Sequence, residues 1–101
     1  MHRTSLYDAP RVQVDLEGYI MHKSASLETI HLCLQPGQTV AQHPNASDVV
    51  ACLVEGEVTL DMGDEQTRLQ LYDVADIEKD SPRGFTNTGE GNARLLIMKK
   101  L

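Results

Sequence analysis

Glycine and proline recur at Pro10, Gly18, Pro36-Gly37, Pro44, Gly56, Gly63, Pro82, Gly84, Gly89 and Gly91, and the segments left between them are strand-sized. Val58, Leu60 and Met62 alternate with Glu57, Thr59 and Asp61; after a turn at Gly63-Asp64, Thr67, Leu69 and Leu71 alternate with Arg68 and Gln70. This is a hairpin pattern. Arg11 to Asp15, Tyr19 to His22, Leu27 to Leu34, Val49 to Val54 and Ala93 to Met98 add segments rich in branched side chains, which suit a pleated surface. The best helical stretch, Ser5 to Leu16, contains Pro10, and its Val12, Val14, Leu16 spacing favours a strand. Many short strands at near-regular spacing predict an all-β sandwich or barrel. A chain of 101 residues is one domain's worth of core, residues 1–101 together.

Charge narrows the partners. Nine Lys and Arg stand against fifteen Asp and Glu, a formal charge of -6 that repels phosphate backbones and anionic lipid. Nucleic acid and membrane are therefore not expected partners. Met1 to Pro10 lacks the apolar stretch of an export signal. Thr29 to Ser47 has no Asp, Glu, Lys or Arg, yet Gln35-Pro36-Gly37-Gln38 and His43-Pro44-Asn45 interrupt it too often for a membrane helix. The expectation is a cytoplasmic protein whose Cys33 and Cys52 stay reduced and pack as small apolar side chains on neighbouring strands.

Two stretches carry chemistry by their spacing. Pro36-Gly37, five residues, His43-Pro44-Asn45, three residues, Val49, six residues and Gly56 form the first. Tyr72-Asp73, Glu78-Lys79-Asp80 and Arg83-Gly84-Phe85-Thr86-Asn87 form the second. Together they resemble the two motifs of the cupin family. The first motif of that family has a glycine, a His-x-His pair, a glutamate and a closing glycine. The second runs from a Gly-Asp pair through a Pro-x-Gly turn to a histidine and then an asparagine. The resemblance covers about Leu27 to Met98. It implies a double-stranded β-helix, or jelly-roll barrel, of two antiparallel sheets, with residues 1–26 as N-terminal strands and 27–98 as the motif-bearing barrel. It also implies a homodimer, in which the segment Arg3 to Val14 pairs with or exchanges against a second copy.

The family usually grips iron, manganese, nickel or zinc with three histidines and a glutamate. Of those four positions this chain keeps only His43: Asn45 replaces the second histidine, Val49 the glutamate and Arg83 the third histidine. Asn45 offers a weak neutral oxygen, Val49 offers nothing, and a guanidinium repels a divalent cation. No cofactor is expected on this reading, and the pocket suits a small polar or anionic molecule. Arg83 would hold the anion in its fork, with His43, Asn45 and Asn87 orienting it. The alternatives for Arg83 are an internal ion pair or a side chain swung to the rim. The alternative for Asn87, close to Gly89, is a turn-shaping role, and Phe85 reads as core. The contrasting function is a metal-dependent oxygenase or isomerase. It would hold a transition metal with His43 and Asn45 plus an unforeseen ligand such as Asp48 turned inward by a bulge, His31 or Cys52. Lys99-Lys100 reads as a short charged tail.

Overall fold

The computed structural model describes residues 1–12, 16–43 and 46–101, with His43 described in its backbone. The described residues form strands β1 (Glu17–Lys23), β2 (Leu27–Leu34), β3 (Thr39–His43), β4 (Val49–Glu55), β5 (Val58–Met62), β6 (Glu65–Leu69), β7 (Val74–Ile77), β8 (Arg83–Asn87) and β9 (Ala93–Lys100). One sheet has the order β1-β2-β9-β4-β7 and the other β3-β8-β5-β6, and every pairing between these strands is antiparallel. No helix among the described residues is long and apolar enough to cross a membrane. The architecture is thus the all-β, two-sheet barrel that the spacing of glycine and proline predicts.

Alternation decides what fills it. Leu32 and Leu34 of β2, Val49, Ala51 and Leu53 of β4, and Ala93, Leu95 and Ile97 of β9 point to one side and meet Val58, Leu60 and Phe85 from the facing sheet. Leu34, Leu53 and Leu95 are 0% exposed, and each contributes about 2 kcal/mol of burial free energy. The two outer faces differ. On the four-stranded sheet, Thr39, Thr86 and Asp61 form a polar ladder, with Thr39 Oγ1 and Thr86 Oγ1 2.8 Å apart and Thr86 donating to Asp61 Oδ2 at 3.3 Å. On the five-stranded sheet the outward residues include Val50, Cys52, Leu96 and Met98, all half-buried.

Several expectations are refined. Cys33 and Cys52 are free thiols, but β9 lies between β2 and β4, so the two do not sit on neighbouring strands. Both point to the outer face of the sheet, Cys33 opposite Arg94 and Cys52 opposite Leu96, yet Cys33 is buried at 3% exposed, as expected, and Cys52 is half-buried. The expected strand from Arg11 to Asp15 falls partly on residues 13–15, outside the described residues. Its described part is a single bridge of Arg11 to Tyr19, with Val12 N donating to Gly18 O and Ile20 N to Pro10 O. Strand β6 ends at Leu69, which leaves Leu71 48% exposed instead of in the hairpin's inward row.

The contact of β3 with β8 is tight at Gly84. A Cβ there would lie 2.6 Å from Val40 O and 2.7 Å from Gln42 N, where the β3–β8 register shifts between Val40 and His43. Backbone, unlike a flexible side chain, gives way at a cost. Gly84→Ala should therefore destabilise the protein by about 2 kcal/mol, in the range of overpacked sites, read as a lower urea midpoint with an unchanged denaturant slope.

Candidate functional site

The motif spacing survives as geometry. Tyr72 (φ 71) and Asp80 (φ 65) adopt the left-handed backbone at two positions where the family pattern has glycine. Gly56 (φ 80) closes the first motif, and a Cβ there would lie 2.5 Å from Asn92 O. The turn before β7 is set by Tyr72 N donating to Leu53 O at 2.7 Å and by Gln70 N donating to Asp73 Oδ2 at 2.7 Å. These turns deliver β7 and β8 to opposite walls of one barrel end.

Arg83 opens β8. Alternation along the strand puts its side chain with Phe85 and Asn87 on the interior face, and all three are buried. Arg83 is 3% exposed, and its Nη2 donates to Ser47 O at 3.0 Å. Of the three expectations for Arg83, the one that swung it to the rim is overturned. Burial pushes the Arg83 pKa below the ordinary arginine range, partly offset by the carboxylates of Asp48 and Asp80. Guanidinium basicity is high enough that the group keeps its charge at neutral pH.

The residues beside it fix its surroundings. Asp48 is exposed, and its Oδ1 accepts from Lys79 N at 2.8 Å while its carbonyl accepts from Lys100 N at 3.0 Å. It ties the 78–82 loop to the start of β4 and is not turned inward as a substitute ligand. Val49, next in sequence, is 3% exposed and faces the interior. The backbone register places His43 directly opposite Arg83, while Asn45 falls outside the described residues. Asn87 sits at the other end of β8. Its Nδ2 donates to Leu34 O and Gly91 O, both at 2.8 Å, and its Oδ1 accepts from Gly89 N at 2.9 Å. Both amide protons are committed to backbone, so Asn87 builds the 87–91 turn, as its nearness to Gly89 suggested, and does not stand beside Arg83.

Sequence reasoning missed two charged residues at this end. Ala93, Leu95, Ile97 and Lys99 alternate along β9, so Lys99 follows three core residues onto the interior face and is no loose tail. Its register neighbours are Val49 on β4 and Glu28 on β2. Glu28 is 9% exposed, the inward companion of Ile30, Leu32 and Leu34. Extending the alternation by two positions at either strand's end would have found both.

The residues present do not fit the family's metal. The glutamate position holds a buried alkyl group and one histidine position a buried guanidinium. Among the described residues no group of three or more His, Cys, Asp and Glu could hold a metal ion. His31 lies on the outer face, paired with Leu96, and burial and the adjacent Arg94 hold its pKa below the ordinary histidine range. Cys52 shares that outer face. A separate open groove of about 360 Å³, lined by Gly56, Glu57, Arg68, Leu69, Gln70 and Leu71, lies away from Arg83. Its two charges pair with each other at 2.6 Å.

A two-sheet antiparallel barrel with these motif positions defines a small cupin-type β-helix. The model of the cupin domain matches residues 30–99, and the chain belongs to the cupin family. Comparison with curated proteins finds no match. Among solved structures, the chain is similar to TT1209 from Thermus thermophilus, with 25% identity over 99% of this chain and 97% of that one and a TM-score of 0.83. It is also similar to a predicted oxalate decarboxylase from Thermotoga maritima, at 13% identity over 99% of both chains with a TM-score of 0.87. The polyketide cyclase RemF from Streptomyces resistomycificus aligns at 14% identity over 99% of this chain and 79% of that one, with a TM-score of 0.85.

Asn87 offers a check on the division between scaffold and site. Asn87→Ala removes three hydrogen bonds to buried or partly buried backbone and should cost about 2–3 kcal/mol, seen as a lower thermal midpoint. The response of the midpoint to added carboxylates should be the same as in the unaltered protein.

Proposed function

We propose that this cupin is a small-molecule-binding module whose barrel end takes an anionic ligand, a carboxylate or a phosphate, on Arg83. The observation that carries this reading is the burial of a permanent cation where the family's pattern places an imidazole: Arg83 is 3% exposed on the interior face. A desolvated charge is costly, and an oxyanion received by the guanidinium fork offsets that cost with charge-assisted, bidentate hydrogen bonds. Val49 supplies an apolar wall beside it, which keeps water out and strengthens the attraction. His43, directly across the ladder from Arg83, and Asn45, two residues further on, are the polar residues proposed to orient the ligand. The proposal includes a cytoplasmic setting and a homodimer. In this proposal the segment Arg3 to Val14 makes the dimer contact, and light scattering after gel filtration should return twice the chain mass.

Thermal-shift titration with small carboxylates and phosphates tests the reading. At a ligand concentration about 100-fold above Kd, stabilisation of ~2.7 kcal/mol should raise the midpoint by roughly 10–20 °C. Arg83→Met keeps a side chain of similar length, loses the hydrogen bond to Ser47 O and should lose the anion response, whereas the folded variant should keep the stability response to ligands that do not use Arg83. An unaltered protein that no anion stabilises overturns the proposal. Elemental analysis after purification without added metal gives the second check. The expected result is no stoichiometric transition metal, whereas a metal lost on His43→Ala returns the reading to a metal-dependent oxygenase or isomerase.

A further inference from the structure

Strand β7 ends the five-stranded sheet and pairs with β4 alone. The opposite edge of that sheet is closed by the chain itself, since Val12 N donates to Gly18 O and Ile20 N to Pro10 O beside β1. Among the described residues no strand covers β7. Which of its backbone groups are left free follows from the ladder. Lys100 N donates to Asp48 O at 3.0 Å, so the even-numbered residues of β4 turn their backbone to β9; Leu53 N donates to Asp73 O at 3.1 Å, so the odd-numbered ones turn to β7. Ala75 and Ile77, opposite Ala51 and Val49, therefore bond β4, and the N–H and C=O of Val74 and Asp76 point away from the sheet. An edge of that kind is a template for another strand.

Side chains add selection. The outer-face row Tyr19, His31, Leu96, Cys52 and Val74 is directly opposed across all five strands. It is half-buried at Leu96 and Cys52 but ends on Val74 at 62% exposed, with Tyr72, two residues earlier, 73% exposed. A sixth strand would set a side chain against Val74 and cover it. Charge decides which strand that is. Asp73, Asp76, Glu78 and Asp80 are all exposed in one stretch that holds a single base, Lys79. A second copy's β7 laid along the first would set these acids against their like, which is unfavourable across a ladder. Lysine or arginine side chains meet the opposite sign there.

We infer that the free edge of β7 receives an extended, basic segment of another protein as a sixth strand. Main-chain bonds to Val74 and Asp76 attach it, and the side chains of those two residues select it. Val74 and Asp76 share the outer face, so the segment carries an apolar residue and a basic residue two positions apart. Arg83 takes no part in this contact.

A synthetic peptide of the pattern lysine-threonine-valine-threonine-lysine, with blocked ends, is the probe for the full chain. Isothermal titration should show saturable binding that falls at least about tenfold when alternate peptide amides are N-methylated, a change that keeps the charge and removes strand donors. Amide exchange followed by NMR should slow at Val74 and Asp76 on binding and change little at Ala75 and Ile77. Val74→Pro leaves the β4–β7 ladder intact, because the Val74 N–H is not part of it, and should abolish binding. Asp76→Lys should weaken binding severalfold and bring in the same peptide with glutamate in place of lysine. If Val74→Pro fails to fold, Asp76→Lys and the exchange pattern decide. No binding of the lysine peptide, binding indifferent to N-methylation, or unchanged exchange at Val74 and Asp76 overturns the proposal. Loss of the dimer mass in Val74→Pro assigns the edge to a second copy and overturns it as well; all of these outcomes leave the Arg83 reading standing.

Discussion

A guanidinium inside a β-barrel must be solvated by the protein, since water is excluded and the low-dielectric interior magnifies any deficit. In this cupin that constraint organises one whole end of the molecule. The Ser47 carbonyl accepts from Arg83, the Asp48 carbonyl accepts from the last residue of β9, and the Asp48 side chain accepts from the 78–82 loop that leads into Arg83's own strand. A short strand entrance thus joins both sheets. The alternative solution, a metal ion held by imidazoles and a carboxylate, would need opposite electrostatics at the same place. Arg83 and Val49 make that exchange in the sequence, and burial of both makes it physical.

Strands that alternate over an apolar row could be read directly. Strand β2 spans Leu27–Leu34 as its branched residues indicate, and the β5–β6 hairpin turns at Gly63-Asp64 with Leu60 opposite Thr67. The strands that escaped are those whose inward rows are short or charged. Strand β7 has four residues and only Ala75 and Ile77 facing in, and β8 begins its inward row with an arginine. Strand order was less legible still. Placing β9 between β2 and β4 requires a pairing between segments far apart in the chain, which no local pattern reports, and the placement of the two cysteines suffered for it.

At the candidate site, the spacing of the motifs located Arg83, but the division of labour among its companions was not in the spacing. Asn87 lies on the same face as Arg83 and yet serves a turn at the far end, because a strand of five residues runs from one end of the barrel to the other. Lys99 and Glu28 were hidden because a charged residue at a strand terminus is ordinarily a solvated end. Only the ladder shows that the terminus lies over the interior.

The left-handed backbone of Tyr72 and Asp80 has one further consequence. Both flank β7, the edge strand beside β4; aspartate tolerates this conformation, whereas the aromatic Tyr72 costs about 1 kcal/mol there where glycine would cost little. An edge strand with four residues of ladder to a single neighbour has few hydrogen bonds to hold it, so its amides are expected among the first of the wall to exchange with solvent. Its Ile77 lies opposite Val49, so the wall beside the buried guanidinium is closed on this side by the shortest ladder of the five-stranded sheet.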